Sequence, residues 1–281
     1  MLRFLTDPAL ADFGRPALFA GVGIAALCGL LSVLVVLKRM AFIGQGVSHS
    51  ALGGLGVAAA AGVLGASTGL DLVWQFAIVG GFCLASGLLM GVLTRRDEGA
   101  EADTAIGVVL VGSMSIGSLL LKAFSRGSVE WESFLFGAIL GVSWAEAWMA
   151  WALAAVTLGV LWYFRRPLVF WAFDGATARA MGVREGAMNL LLLTLLTLAT
   201  VAVMRLAGVV LATAMLVLPG AAALRVSRRS GTVMTLAAVF SLAGAVGGLL
   251  VAFERDWLPG ASIVCVLCAI YAACWAIGAR R

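Results

Sequence analysis

MNLLLLTLLTLATVAVM (188–204) and AGVVLATAMLVLPGAAAL (207–224), separated only by Arg205 and Leu206, decide the fold. Neither run contains a charged residue, and each is close to the ~20 residues that an α-helix needs to cross the hydrocarbon core of a bilayer. Two such runs in tandem mark a chain that lives in a membrane. The two-residue join suits either one long broken helix or a re-entrant turn, so the crossing count stands at eight or nine.

Working outward, the same pattern fills the chain, with further runs near 17–37, 43–65, 72–94, 104–121, 143–164, 232–253 and 259–278. The residues are 63% hydrophobic and 12% charged, against roughly 45–50% and 25% in soluble domains. A soluble globule is excluded. No stretch between the runs reaches the ~50 residues that a separate soluble core needs. Residues 1–281 therefore read as a single all-α, polytopic transmembrane helix bundle, with the first run retained as a helix rather than removed as a signal peptide.

The net charge of +5 comes from basic residues scattered at run ends rather than from a stripe, which argues against a nucleic-acid partner. With the loop of Lys38 and Arg39 on the cytoplasmic side, strict alternation across nine crossings places thirteen Lys and Arg inside and six outside. The acidic residues lean the other way, six inside and eight outside. This is the positive-inside bias, and it predicts an outside N-terminus and a cytoplasmic C-terminus in a plasma membrane.

Enzymatic motifs are missing. Without GxxxxGK[ST] the chain cannot itself cradle a nucleotide, and one histidine cannot build HExxH or a multi-histidine cage. Cys265 and Cys268 form a CxxC, but deep in an apolar run it reads as small-residue packing. No cofactor is expected in the chain itself.

Two stretches carry the polar chemistry. In Ile43-Gly44-Gln45-Gly46-Val47-Ser48-His49-Ser50, Gln45 and His49 are four apart and share a helix face. Those side chains, with Ser48, are either hydrogen-bonding glue between helices or the lining of an ion pathway. The second stretch is the longest loop, 165–187, on the side of Arg165 and Arg166. Within it Ala176–Met181 is expected to form a short helix, capped by Asp174 and stopped by Gly182. Such a helix is either a plain connector or a docking element for a soluble partner.

KRMAFIGQGVSHSALGG (38–54), DTAIGVVLVGSMSIGSLLL (103–121), SFLFGAILGVS (133–143), FDGATARAMGV (173–183), AGVVLATAMLVLPGAAAL (207–224) and DWLPGASIV (256–264), taken in order, resemble the permease subunit of bacterial metal-ion ABC importers, the zinc, manganese and iron family. The resemblance implies a type II importer-like permease of about eight to nine spanning helices in the bacterial inner membrane. It implies a homodimer driven by ATP on a separate cytoplasmic ABC ATPase and fed by an extracytoplasmic metal-binding protein. The absent P-loop then belongs to another chain. Residue by residue, Asp174, Ala178 and Gly182 match the family's ATPase-coupling loop, Pro219 and Gly220 match a proline-containing seventh segment where a helix break is expected, and His49 matches the histidine of G-D-A-L-S-H, a metal-pathway position.

Here the sequence departs from the pattern: Gln45 stands at the aspartate and Gly46 at the alanine. A neutral carboxamide offsets less of a cation's charge than a carboxylate, and hard manganese loses most from that change. The substitution favours zinc over manganese or iron as the transported ion. Two other classes remain as alternatives. An ion-gradient-driven secondary carrier calls for intramembrane acids or inverted repeats, for which Glu146 is the one candidate acid inside a run. A membrane scaffold would have no transport path at all.

Overall fold

The computed structural model describes residues 8–64, 69–94, 100–124, 137, 142–255 and 257–278. Most of the 133–143 motif, Asp256 and the terminal Arg280 and Arg281 fall outside the described residues. Ten helices follow one another there: α1 (Pro8–Leu37), α2 (Ala41–Ala60), α3 (Gly69–Leu93), α4 (Ala100–Phe124), α5 (Trp144–Tyr163), α6 (Arg165–Phe173), α7 (Gly175–Ala180), α8 (Glu185–Val226), α9 (Ser230–Arg255) and α10 (Pro259–Gly278). Among the described residues, eight segments are long and apolar enough to cross a membrane, with the two halves of α8 counted separately.

α2 is absent from those eight, yet its 20 residues rise about 30 Å at 1.5 Å per residue, enough to cross the hydrocarbon core. Gln45 and His49, with its glycines and serines, keep its hydropathy low. It tolerates that composition because α3, α4 and α8 enclose most of its surface, with Gly53, Gly54 and Gly56 all buried. The approach is backbone to backbone: a Cβ at Gly56 would lie 2.7 Å from the Gly117 carbonyl oxygen, and one at Gly54 would lie 2.8 Å from Val79 Cα. Ser50 and Ser113 add a hydroxyl–hydroxyl bond of 3.0 Å between α2 and α4.

The 42 residues of α8 would make a rod of about 63 Å if straight, twice the membrane. They do not run straight. Gly208 has φ 77° and ψ 169°, a region essentially reserved for glycine, and the two halves run in opposite directions. In the first half, Leu196 lies beside Gly44 near the start of α2, and Met204 lines a small pocket with Leu55 and Val79 nearer its end. In the second half, Gly220 comes against Ser32 and Val33, and Arg225 meets Gly278, back toward the Lys38 end of α1. The tandem apolar runs are thus a helical hairpin, and with α2 the described residues make nine passes.

Two expectations change. Pro219 and Gly220 do not break the helix, which runs through both; the break is at Gly208. Pro219 forfeits one backbone hydrogen bond, but Gly220 lets α8 approach so closely that its Cβ would lie 2.5 Å from the Ser32 carbonyl. The helix is continuous where the sequence alone suggests a break. Glu146, the candidate intramembrane acid, instead forms a capping box with Ser143 at the start of α5. Its carboxylate accepts from the Ser143 backbone N–H at 3.1 Å, so the one acid that a secondary carrier could have used is a helix cap.

Candidate functional site

A three-residue turn, Lys38 to Met40, enters the site helix, and Arg39 in it has φ 55°. No side chain caps α2; its position is set by the glycine contacts along it. Those contacts use most of its circumference. The side that stays open carries Phe42, which is 49% exposed, an exposed Gln45 and a half-buried His49, spaced i, i+3, i+7 on one stripe.

Gln45 and His49 therefore share the open face, as their spacing requires. Ser48 does not join them. It is fully buried, and its hydroxyl donates to the Gly44 carbonyl at 2.9 Å, a bond back into its own helix. Gly46 also points away from the stripe, where a Cβ would meet the Met90 thioether at 2.7 Å. The glycine that replaces the alanine leaves room for a fully buried methionine. His49 Nδ1 is enclosed and has no hydrogen-bond partner among the described residues. Among those residues no group of three or more His, Cys, Asp or Glu converges on a point.

The second candidate region lies at the Lys38 end of the bundle. Asp174 precedes α7, and its carboxylate accepts from the Thr177 backbone N–H at 3.1 Å and from the Thr177 hydroxyl at 2.6 Å. The bond from the Thr177 hydroxyl, with that from its backbone N–H, holds the Asp174 carboxyl below the ordinary carboxylate range. Ala178 is fully buried beneath the helix. Gly182, at φ 85°, closes the other end: its N–H donates to Arg179 and that of Val183 to Ala178, both at 3.0 Å, a Schellman pair. Arg179 and Glu185 then tie the segment to α8 at 3.3 Å.

Sequence reasoning missed two parts of this region. Residues 165–173, expected as part of a loop, are helical: Pro167 falls in the first turn, where proline is tolerated, and Leu168, Trp171 and Ala172 are buried at helical spacing. The other is Lys38, whose ammonium sits 3.7 Å from the centre of the Trp171 ring. Burial pulls the Lys38 pKa down, opposed by Glu185. The lysine joins the turn before α2 to the short helices, a contact with no local sequence signal.

Nine helical passes among the described residues, with a glycine-rich helix enclosed by α3, α4 and α8 and leaving Gln45 and His49 on its open side, define a multi-pass membrane protein of the transport class. The chain belongs to the ABC 3 transport family, whose model matches residues 11–277. It is 31% identical to the manganese transport system membrane protein MntC of Halalkalibacterium halodurans, over 96% of this chain and 89% of that one. It is 30% identical to the chelated iron transport system membrane protein YfeD of Yersinia pestis, over 95% of this chain and 86% of that one. Among solved structures, PsaBC from Streptococcus pneumoniae in complex with Fab superposes with a TM-score of 0.81 at 25% identity, over 94% of this chain and 91% of that one.

Proposed function

We propose that this chain is the permease subunit of an ATP-driven importer for a divalent first-row transition metal, working as a homodimer. The observation that carries the reading is the Gln45–His49 stripe: an imidazole and a carboxamide left open on a helix whose other sides are packed. A second copy placing its own stripe opposite would supply two imidazoles and two amide carbonyls. With Nδ1 enclosed, Nε2 is the nitrogen left for the ion. Such a site is sparse by the standard of a resident metal centre, as a transit site must be for the ion to leave again.

The Lys38 face is cytoplasmic in this reading, in line with the distribution of Lys and Arg, and the C-terminus lies there too. The capped segment from Asp174 through Ala178 to Gly182 projects from that face as the docking element for a cytoplasmic ABC ATPase, which holds the ATP. An extracytoplasmic binding protein delivers the metal to the opposite face. The relatives named above are manganese and iron systems, whereas the neutral donor pair of this chain favours zinc, which depends more on imidazole than on carboxylate oxygen.

A competition assay tests the reading: uptake of radiolabelled zinc, manganese and iron into vesicles containing the permease with its ATPase and binding protein. Zinc should compete best, and Gln45→Asp should shift preference toward manganese. Uptake by this chain alone without ATP would overturn the importer reading, and a metal preference unchanged by Gln45→Asp would overturn the assigned role of Gln45.

A further inference from the structure

A groove of about 940 Å³ opens where α1, α5, α6 and α9 meet near the Lys38 face. Leu30, Leu158, Val169, Phe170 and Met234 supply its apolar wall, and Arg165 and Arg166 line it as well. Both arginines are exposed, and neither has a carboxylate within ion-pair distance among the described residues. The Arg165 guanidinium rests 3.9 Å from the centre of the Trp162 ring. Trp162 and Tyr163 are 67% and 80% exposed at the end of a spanning helix, the depth at which aromatic side chains meet the headgroups of a bilayer.

We propose that this groove binds one anionic phospholipid from the leaflet on the Lys38 side. The headgroup phosphate sits on Arg165 and Arg166, and an acyl chain lies along the apolar wall beside Gly159. Charge complementarity selects this occupant. Two cations with no ion-pair partner among the described residues, at headgroup depth, next to an apolar channel, match an anion that carries a hydrocarbon tail. A zwitterionic lipid fits the channel equally well but brings a choline or ethanolamine cation toward the same guanidiniums. Gly159 contributes to the space, since a Cβ there would meet nothing within 4 Å.

Native mass spectrometry of the full chain, released from detergent with added phosphatidylglycerol or phosphatidylcholine, tests this directly. Phosphatidylglycerol should be retained preferentially by the unaltered protein. Removing both charges with Arg165→Gln and Arg166→Gln should weaken retention about thirtyfold, at about fivefold per basic residue near a lipid surface. Gly159→Phe should also release the lipid, because it fills the channel while both arginines remain. Equal retention of the two lipids, or no effect of the arginine changes, overturns the proposal. Loss with the arginine changes but not with Gly159→Phe overturns the groove in favour of a simple charged surface. If Gly159→Phe instead abolishes dimers seen with the unaltered chain, the groove is a subunit interface and the lipid assignment fails. Unchanged helical content by circular dichroism in each variant ensures that lost retention reports binding rather than unfolding.

Discussion

The helix that carries His49 and the short helix that follows Asp174 are built by opposite means. α2 has no side-chain cap, and its placement comes from contacts with residues far along the chain: Gly117, Val79, Ser113 and Leu196. The ends of α7 are fixed by residues within eleven positions of Asp174, through the Thr177 bonds, the Gly182 turn and the Arg179–Glu185 pair. One is held by its surroundings, the other by its own sequence. The contrast suits the roles proposed for them: a transport site would have to respond when neighbouring helices shift, whereas a docking element would have to present one shape while its partner pushes on it.

Four changes test that contrast, beginning with the largest effect. Replacing His49 with alanine should lower metal uptake by at least about tenfold, since even the outer partners of a metal ligand are worth 10–100-fold; normal uptake at equal membrane abundance would remove the metal role of the imidazole. Gly117→Leu comes next. Its side chain would enter the backbone of Leu52 and Gly53, and overpacking of this kind costs about 1–3 kcal/mol. The thermal midpoint should fall and uptake with it, although residue 117 is not on the stripe; an unchanged midpoint would mean that α2 is not held by this contact.

Asp174→Lys should weaken ATPase co-purification several-fold by removing the cap and opposing the helix dipole, while metal binding at α2 is untouched. Co-purification unaffected by the change would return the segment to a plain connector. The same carboxylate sets a pH dependence. Its native pKa is depressed, so its contribution is complete above the ordinary value of about 3.9 and is lost only as pH falls through the lower native value. Association should therefore be flat from about pH 8 to pH 5 so far as this group governs it, and a decline within that range that disappears in Asp174→Asn would contradict the assignment. The smallest effect is expected for Ser48→Ala, which removes only a bond from the hydroxyl to its own helix; uptake should stay within about twofold, and a loss comparable to that of His49→Ala would put Ser48 back in the pathway.

The same contrast explains what the sequence made legible. The cap at Asp174 and the stop at Gly182 were readable because the groups that satisfy α7 lie within a few residues of it. The shared face of Gln45 and His49 was readable because helical periodicity is local. The burial of Ser48 was not, because it depends on which side α3, α4 and α8 cover. Nor was the uninterrupted helix at Pro219, where the decisive neighbour, Ser32, is remote in sequence. The cap at Glu146 was hidden for a related reason: acid in an apolar run and acid in a capping box differ by where the helix begins, and hydropathy locates that boundary only to within a few residues.

The reversal at Gly208 also bears on how the chain enters the membrane. Two apolar passes joined by so tight a turn leave the translocon little loop to thread, so they are expected to partition into lipid together as one unit. A residue with a Cβ at 208 would oppose the reversal just as the second pass emerges, and a first pass without its mate could settle the wrong way round. Damage at Gly208 should thus register in biogenesis before transport, as protease-accessible, misoriented chain in freshly synthesised membranes.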